Sequence, residues 1–135
     1  MAIPTFVDYD GYTVGDAKAS VGPGWHTLVE CVFRSIAVWN KEHPNLEFPV
    51  KVVQVKEKWG GLRIYTTSSP DEVRGAVDLA EDVSFRTCED CGALGTPCAP
   101  GFGWIRTLCP TCVKLTEFLL DKPAPGGVEK GGDSQ

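Results

Sequence analysis

Four cysteines of this 135-residue chain, Cys88, Cys91, Cys109 and Cys112, form two C-x2-C pairs with residues 92 to 108 between them. That spacing reads as a zinc ribbon or a related metal site. Two residues between thiols let a tight turn aim both sulfurs at one ion, and two such knuckles complete a tetrahedron with Zn–S distances of roughly 2.3 Å. Gly92 follows the second thiol of the first knuckle, where positive φ lets backbone amides point at sulfur. Pro110 stiffens the second knuckle. A thioredoxin-like redox centre would instead need one C-x-x-C opening a helix in a βαβ setting, and a disulfide framework belongs to oxidising compartments. The spacing favours a cage. Four thiolates leave no open coordination position, so the zinc is expected to be structural, and its removal is expected to unfold at least residues 86–113. Cys98, inside the ribbon loop, is the reserve ligand, and Cys31 is expected as a small buried hydrophobe on a helix face.

A second constellation lies in QVKEKWGGLRIY, residues 54–65, where Lys56, Lys58, Trp59, Arg63 and Tyr65 gather about Gly60 and Gly61. A Gly-Gly turn lets an anion approach backbone amides, Trp59 offers a stacking plate, and Lys58 with Arg63 supply positive charge. Those are elements of recognition for a nucleotide or single-stranded nucleic acid. The plainer reading has solvated strand lysines, a Trp59 packed on the ribbon and glycines that only make the turn. Acidic residues of the following segment, among them Asp71, Glu72, Asp78, Glu81 and Asp82, offer salt partners for the hairpin. Signals for catalysis are thin. His26 and His43 have no nucleophile or orienting carboxylate nearby in sequence, and Glu57 reads as an exposed strand carboxylate, so no enzyme is expected.

The net charge of −5 argues against indiscriminate binding to nucleic acid or an anionic membrane. No apolar run reaches the roughly 18 to 20 residues of a membrane span, and the first residues lack a basic leader and apolar core, so a cytoplasmic location is expected. Hydrophobic residues at 42% and charged residues at 23% suit a globular chain of one domain.

The positioning elements follow from periodicity. Trp25, Leu28, Val29, Val32, Phe33, Ile36 and Ala37 fall on one helical face, predicting a helix over 25–42 that Pro44 ends. Strands are predicted near 49–57 and 62–67, with Val53 and Val55 facing opposite to Val52 and Gln54. A second helix opens with Ser69 as N-cap and Pro70 at its first position, and buries Val73, Ala76, Val77 and Ala80. WIRTL before Cys109 reads as a strand, and a short helix after it is expected to turn Leu115, Phe118 and Leu119 inward. The expected fold is α+β: two amphipathic helices on a β-hairpin, a four-cysteine zinc ribbon and a short C-terminal helix. Residues 1–22 read as an N-terminal extension with a weak hairpin about Asp10 and Gly11, residues 23–121 as the domain, and 122–135 as a flexible tail.

GPGW at 22–25, QVKEKWGGLRIY at 54–65, SFRTCEDCG at 84–92 and GWIRTLCPTC at 103–112 together resemble a family of small proteins of bacteria and their phages. Its pattern is a KEK-aromatic-G-x-LR-aromatic-Y segment followed by paired cysteine knuckles. The chain departs from it at Trp59, where phenylalanine is usual, at Ile64, where an aromatic is usual, and at Cys112, where some relatives carry histidine. The resemblance implies no activity, only a phage or prophage setting. In that setting a small non-catalytic zinc protein would bind a host protein, or act against host defence by sequestering a nucleotide signal. Single-stranded nucleic acid is the remaining alternative partner.

Overall fold

The computed structural model describes residues 11–45 and 47–121. The expected tail and most of the expected N-terminal hairpin lie outside them. The elements run α1 (Val14–Ala19), α2 (His26–Glu42), β1 (Val52–Lys58), β2 (Gly61–Thr66), α3 (Asp71–Ser84), β3 (Thr96–Cys98), β4 (Arg106–Leu108) and α4 (Pro110–Asp121). Among the described residues, helices mixed with two antiparallel two-stranded sheets make the chain α+β.

The core forms where α2 and α3 pack with the first hairpin. Trp25, Val29, Val32, Phe33 and Ile36 of the α2 region bury against Val52, Val55, Leu62, Ile64, Val73 and Ala80. Each large side chain so buried contributes about 1.5 to 3 kcal/mol. Asn40, within the buried face of α2, uses its amide like a strand: Nδ2 donates to the Val50 carbonyl and Oδ1 accepts from the Val50 N–H, both at 2.9 Å. Cys31 is exposed, contrary to expectation. It lies two residues past Val29, about 200° round the helix from the buried face.

Residues 14–19, read from sequence as part of an extension, form α1 and place Ala17 at zero exposure in the core. Thr13 caps α1 by accepting from the Asp16 N–H, while the Asp16 carboxylate accepts from the Thr13 N–H, a reciprocal capping box. The preceding Tyr12 reaches across to β1, where its hydroxyl meets both the N–H and the C=O of Val55, at 3.0 and 3.3 Å.

Alternation in β1 is broken. Register shifts between Val52 and Gln54, so Val53 is the extra residue of a β-bulge, and Val52 and Val55 both face the core while Val53 and Gln54 face solvent. On β2 the expected faces hold: Leu62 and Ile64 are buried. The outer edge of β2 is met by α3, where Ser84 Oγ accepts from the Leu62 N–H and Glu81 Oε2 accepts from the Ile64 N–H. Helix α3 starts one residue later than expected, with Pro70 at the N-cap and no side-chain cap. Ser69 instead meets the Thr66 hydroxyl at 3.2 Å. The α4 expectation also fails: Leu115, Phe118 and Leu119 are 55, 59 and 56% exposed. A ribbon whose buried apolar cluster is Cys88, Leu108 and Cys109 is too small to cover that helix.

Candidate metal centre

The first knuckle is a turn in which the Gly92 N–H donates to the Cys88 carbonyl and the Cys88 N–H to the Ala93 carbonyl. Gly92 sits at φ +86°, the positive value expected of it. The second knuckle forms where β4 runs into α4. Pro110 takes the first helical position, the Val113 N–H donates to the Cys109 carbonyl, and the Cys112 N–H points at Cys109 Sγ, 3.3 Å away. The sulfurs of Cys88, Cys91, Cys109 and Cys112 all lie within 4.8 Å of one another. Cys91 Sγ and Cys109 Sγ, from different knuckles, are 3.7 Å apart. That is well beyond a disulfide bond, and it matches the roughly 3.8 Å edge of a tetrahedron with 2.3 Å metal–sulfur bonds. All six cysteines are free thiols. The four can therefore hold one metal ion.

Electrostatics favour thiolate at one corner. Burial alone would raise Cys88, but backbone N–H groups of Cys109, Cys91 and Asp90 outweigh it and lower the thiol to about 7. Cys112 is raised, chiefly because its thiol hydrogen-bonds to Cys109. Cys98, the reserve ligand by sequence, is not one of the four. It lies on β3, partly buried against this group, and burial raises its pKa.

Three contacts hold the knuckles in place. Glu89, between the first two ligands, donates its N–H to the Thr107 carbonyl and accepts the Thr107 N–H at Oε2, tying the first knuckle to β4. Burial holds its carboxyl above the usual range, against the pull of that N–H and of Arg106. Arg106 in turn meets Glu89 at 3.4 Å and Asp90 at 2.7 Å. The GPGW segment lies directly on the knuckle: the Gly24 N–H donates to the Glu89 carbonyl, and Trp25 Nε1 donates to the Thr87 carbonyl. A Cβ on Gly24 would fall 1.9 Å from the Cys88 carbonyl oxygen, and one on Gly22 2.4 Å from that of Glu89. Sequence reading missed this role; the signal was two glycines flanking a proline before a fully buried tryptophan.

The first hairpin supplies the third contact. Thr107 Oγ1 donates to the Gly60 carbonyl at 2.7 Å. The turn itself differs from the expected Gly60–Gly61. Lys58 pairs with Gly61, so Trp59 and Gly60 are the two turn residues, at φ +55° and +81°, as a type I′ turn requires. Gly61 belongs to β2, where its bare Cα makes room for the Phe85 ring. Both glycines are buried, and the Gly60 N–H donates to Glu57 Oε2 at 2.7 Å, so that amide is already engaged. Arg63 pairs with Glu81 at 3.7 Å, and the Lys56 ammonium sits 5.7 Å from the centre of the Tyr65 ring. Lys56, Lys58 and Trp59 come together in a notch with Glu57, Trp104 and Ile105; Arg63 and Tyr65 do not line it. The two histidines are engaged elsewhere, His26 with the Lys18 carbonyl and His43 with the Trp39 carbonyl and ring. No helix among the described residues is long and apolar enough to cross a membrane.

Compared with family models, curated proteins and solved structures, the chain matches none.

Proposed function

We propose that the chain is a small non-catalytic binding protein in which a structural zinc clamps the ribbon against the hairpin turn, and Trp59 on that turn contacts a host protein. Zinc is the ion that suits four thiolates at tetrahedral spacing with no open position, although an iron site shares that donor set. Native mass spectrometry of protein purified without chelator should find one zinc per chain. A mass fitting iron, with visible absorption, would reject that choice of metal.

The observation that carries the binding role is the conformation of Trp59. A left-handed backbone costs a non-glycine residue roughly 1 to 2 kcal/mol, and turns of this type favour Asn, Asp or Gly. Trp59 adopts it at φ +55° with 62% of its surface exposed, so folding recovers little of that cost through burial. Strain kept by an exposed aromatic side chain points to use outside the fold. The host setting rests on the family resemblance of the sequence.

The test is Trp59→Asn. It should raise the melting temperature by a few degrees, in line with about 1 kcal/mol of relieved strain, while abolishing co-purification of the partner from host extract. A variant that melts lower would mean Trp59 serves the fold, and a variant that keeps its partner would move the contact elsewhere.

A further inference from the structure

The notch beside Trp59 narrows the class of partner, an inference that rests on the binding role just proposed. Its volume is about 260 Å³, and Trp59, Trp104 and Ile105 supply its apolar walls at 62, 66 and 40% exposure. Small-molecule sites usually run from roughly 300 to 1,000 Å³, so this one fits a single inserted side chain better than a whole cofactor. The two sides come from segments about 45 residues apart, the hairpin turn and the residues before β4. They are locked together: Thr107 bonds to the Gly60 carbonyl, and a Cβ on Gly60 would come within 3.2 Å of Ile105. A notch so fixed requires little ordering on binding.

Charge selects what flanks the inserted group. Lys56 and Lys58 edge the notch, while the carboxylate of Glu57 is turned to the Gly60 N–H. Lys58 has no ion pair among the described residues, and Arg106, next to Ile105, is already matched by Glu89 and Asp90. A positive rim on a chain of net charge −5 steers an acidic partner to this spot and disfavours a second copy, whose own lysines would face it. Nucleic acid is less well served. The Gly60 amide is engaged and Arg63 is paired with Glu81, leaving two lysines and no backbone cradle for phosphate.

We propose that the Trp59–Trp104 notch takes one aromatic or aliphatic side chain from an acidic segment of a partner protein. The probe is an acetylated pentapeptide, Asp-Glu-Phe-Asp-Glu, titrated into the zinc-loaded full chain while the indole N–H resonances of Trp59 and Trp104 are followed. Both should shift and saturate. Alanine in place of the peptide's phenylalanine should weaken binding about tenfold or more, and added salt should weaken it several-fold. Lys58→Glu, an exposed change that spares the fold, should turn the preference toward a lysine-flanked peptide.

Equal binding of the lysine-flanked peptide to the unaltered chain would overturn the proposal. So would tighter binding of an oligothymidylate, or indoles that stay still with every probe. If the peptides fail while Trp59→Asn still loses its captured partner, this inference falls and the binding role stands. If Trp59→Asn keeps the partner, the contact lies elsewhere, and the role of Trp59 and this inference fall together.

Discussion

The described residues contain two small antiparallel two-stranded sheets, and different forces hold them. The strands β1 and β2 lie against α2 and α3, where Val52, Val55, Leu62 and Ile64 bury with Trp25, Val29 and Val73. The strands β3 and β4 are three residues each, and the buried apolar cluster beside them is only Cys88, Leu108 and Cys109. An isolated two-stranded hairpin is marginal in water. The first sheet meets that problem by apolar burial and the second by bringing four thiols together, so the two halves should answer to different perturbations.

Removing the proposed zinc should split them most sharply. Binding worth on the order of 10 to 16 kcal/mol would be lost from the ribbon. After chelation, hydrogen exchange should speed at residues 88–112 while the amides of α2, β1 and β2 stay protected. Unfolding of the whole chain in one transition would instead make the halves a single cooperative unit.

The seam between them comes next. Gly24→Ala would drive a Cβ into the Cys88 carbonyl, so it should destabilise the fold by about 3 kcal/mol and loosen the metal. A competition assay with a zinc chelator, set beside a denaturant melt, measures both. Loss of stability with metal affinity intact would mean the knuckle moves as a rigid piece. The smallest effect belongs to the first sheet alone: Tyr12→Phe removes the hydroxyl that serves Val55, at about 1 to 2 kcal/mol, and should leave metal affinity unchanged.

Sequence revealed the strongly periodic and strongly spaced parts. Helix α2 was readable because its apolar residues recur at helical spacing, and the four-thiol cluster because two C-x2-C pairs have few other uses. The rest depended on partners distant in sequence. Helix α1 has six residues, too few for a period, and its place in the core rests on Ala17. The bulge at Val53 leaves no mark in a run of β-branched residues. Ser69 lost the cap to a one-residue shift, with its hydroxyl instead at Thr66. Trp104 gained meaning only when β4 brought it beside Trp59, and the exposed leucines of α4 follow from how little the ribbon can cover.

The edges of the first sheet carry a last consequence. Asn40 and Tyr12 serve the backbone of Val50 and Val55, and Ser84 and Glu81 serve that of Leu62 and Ile64. Side chains thus stand where a third strand would bind, and an incoming chain would have to displace them before it could dock by main-chain pairing. Such a sheet is a poor template for fibril growth.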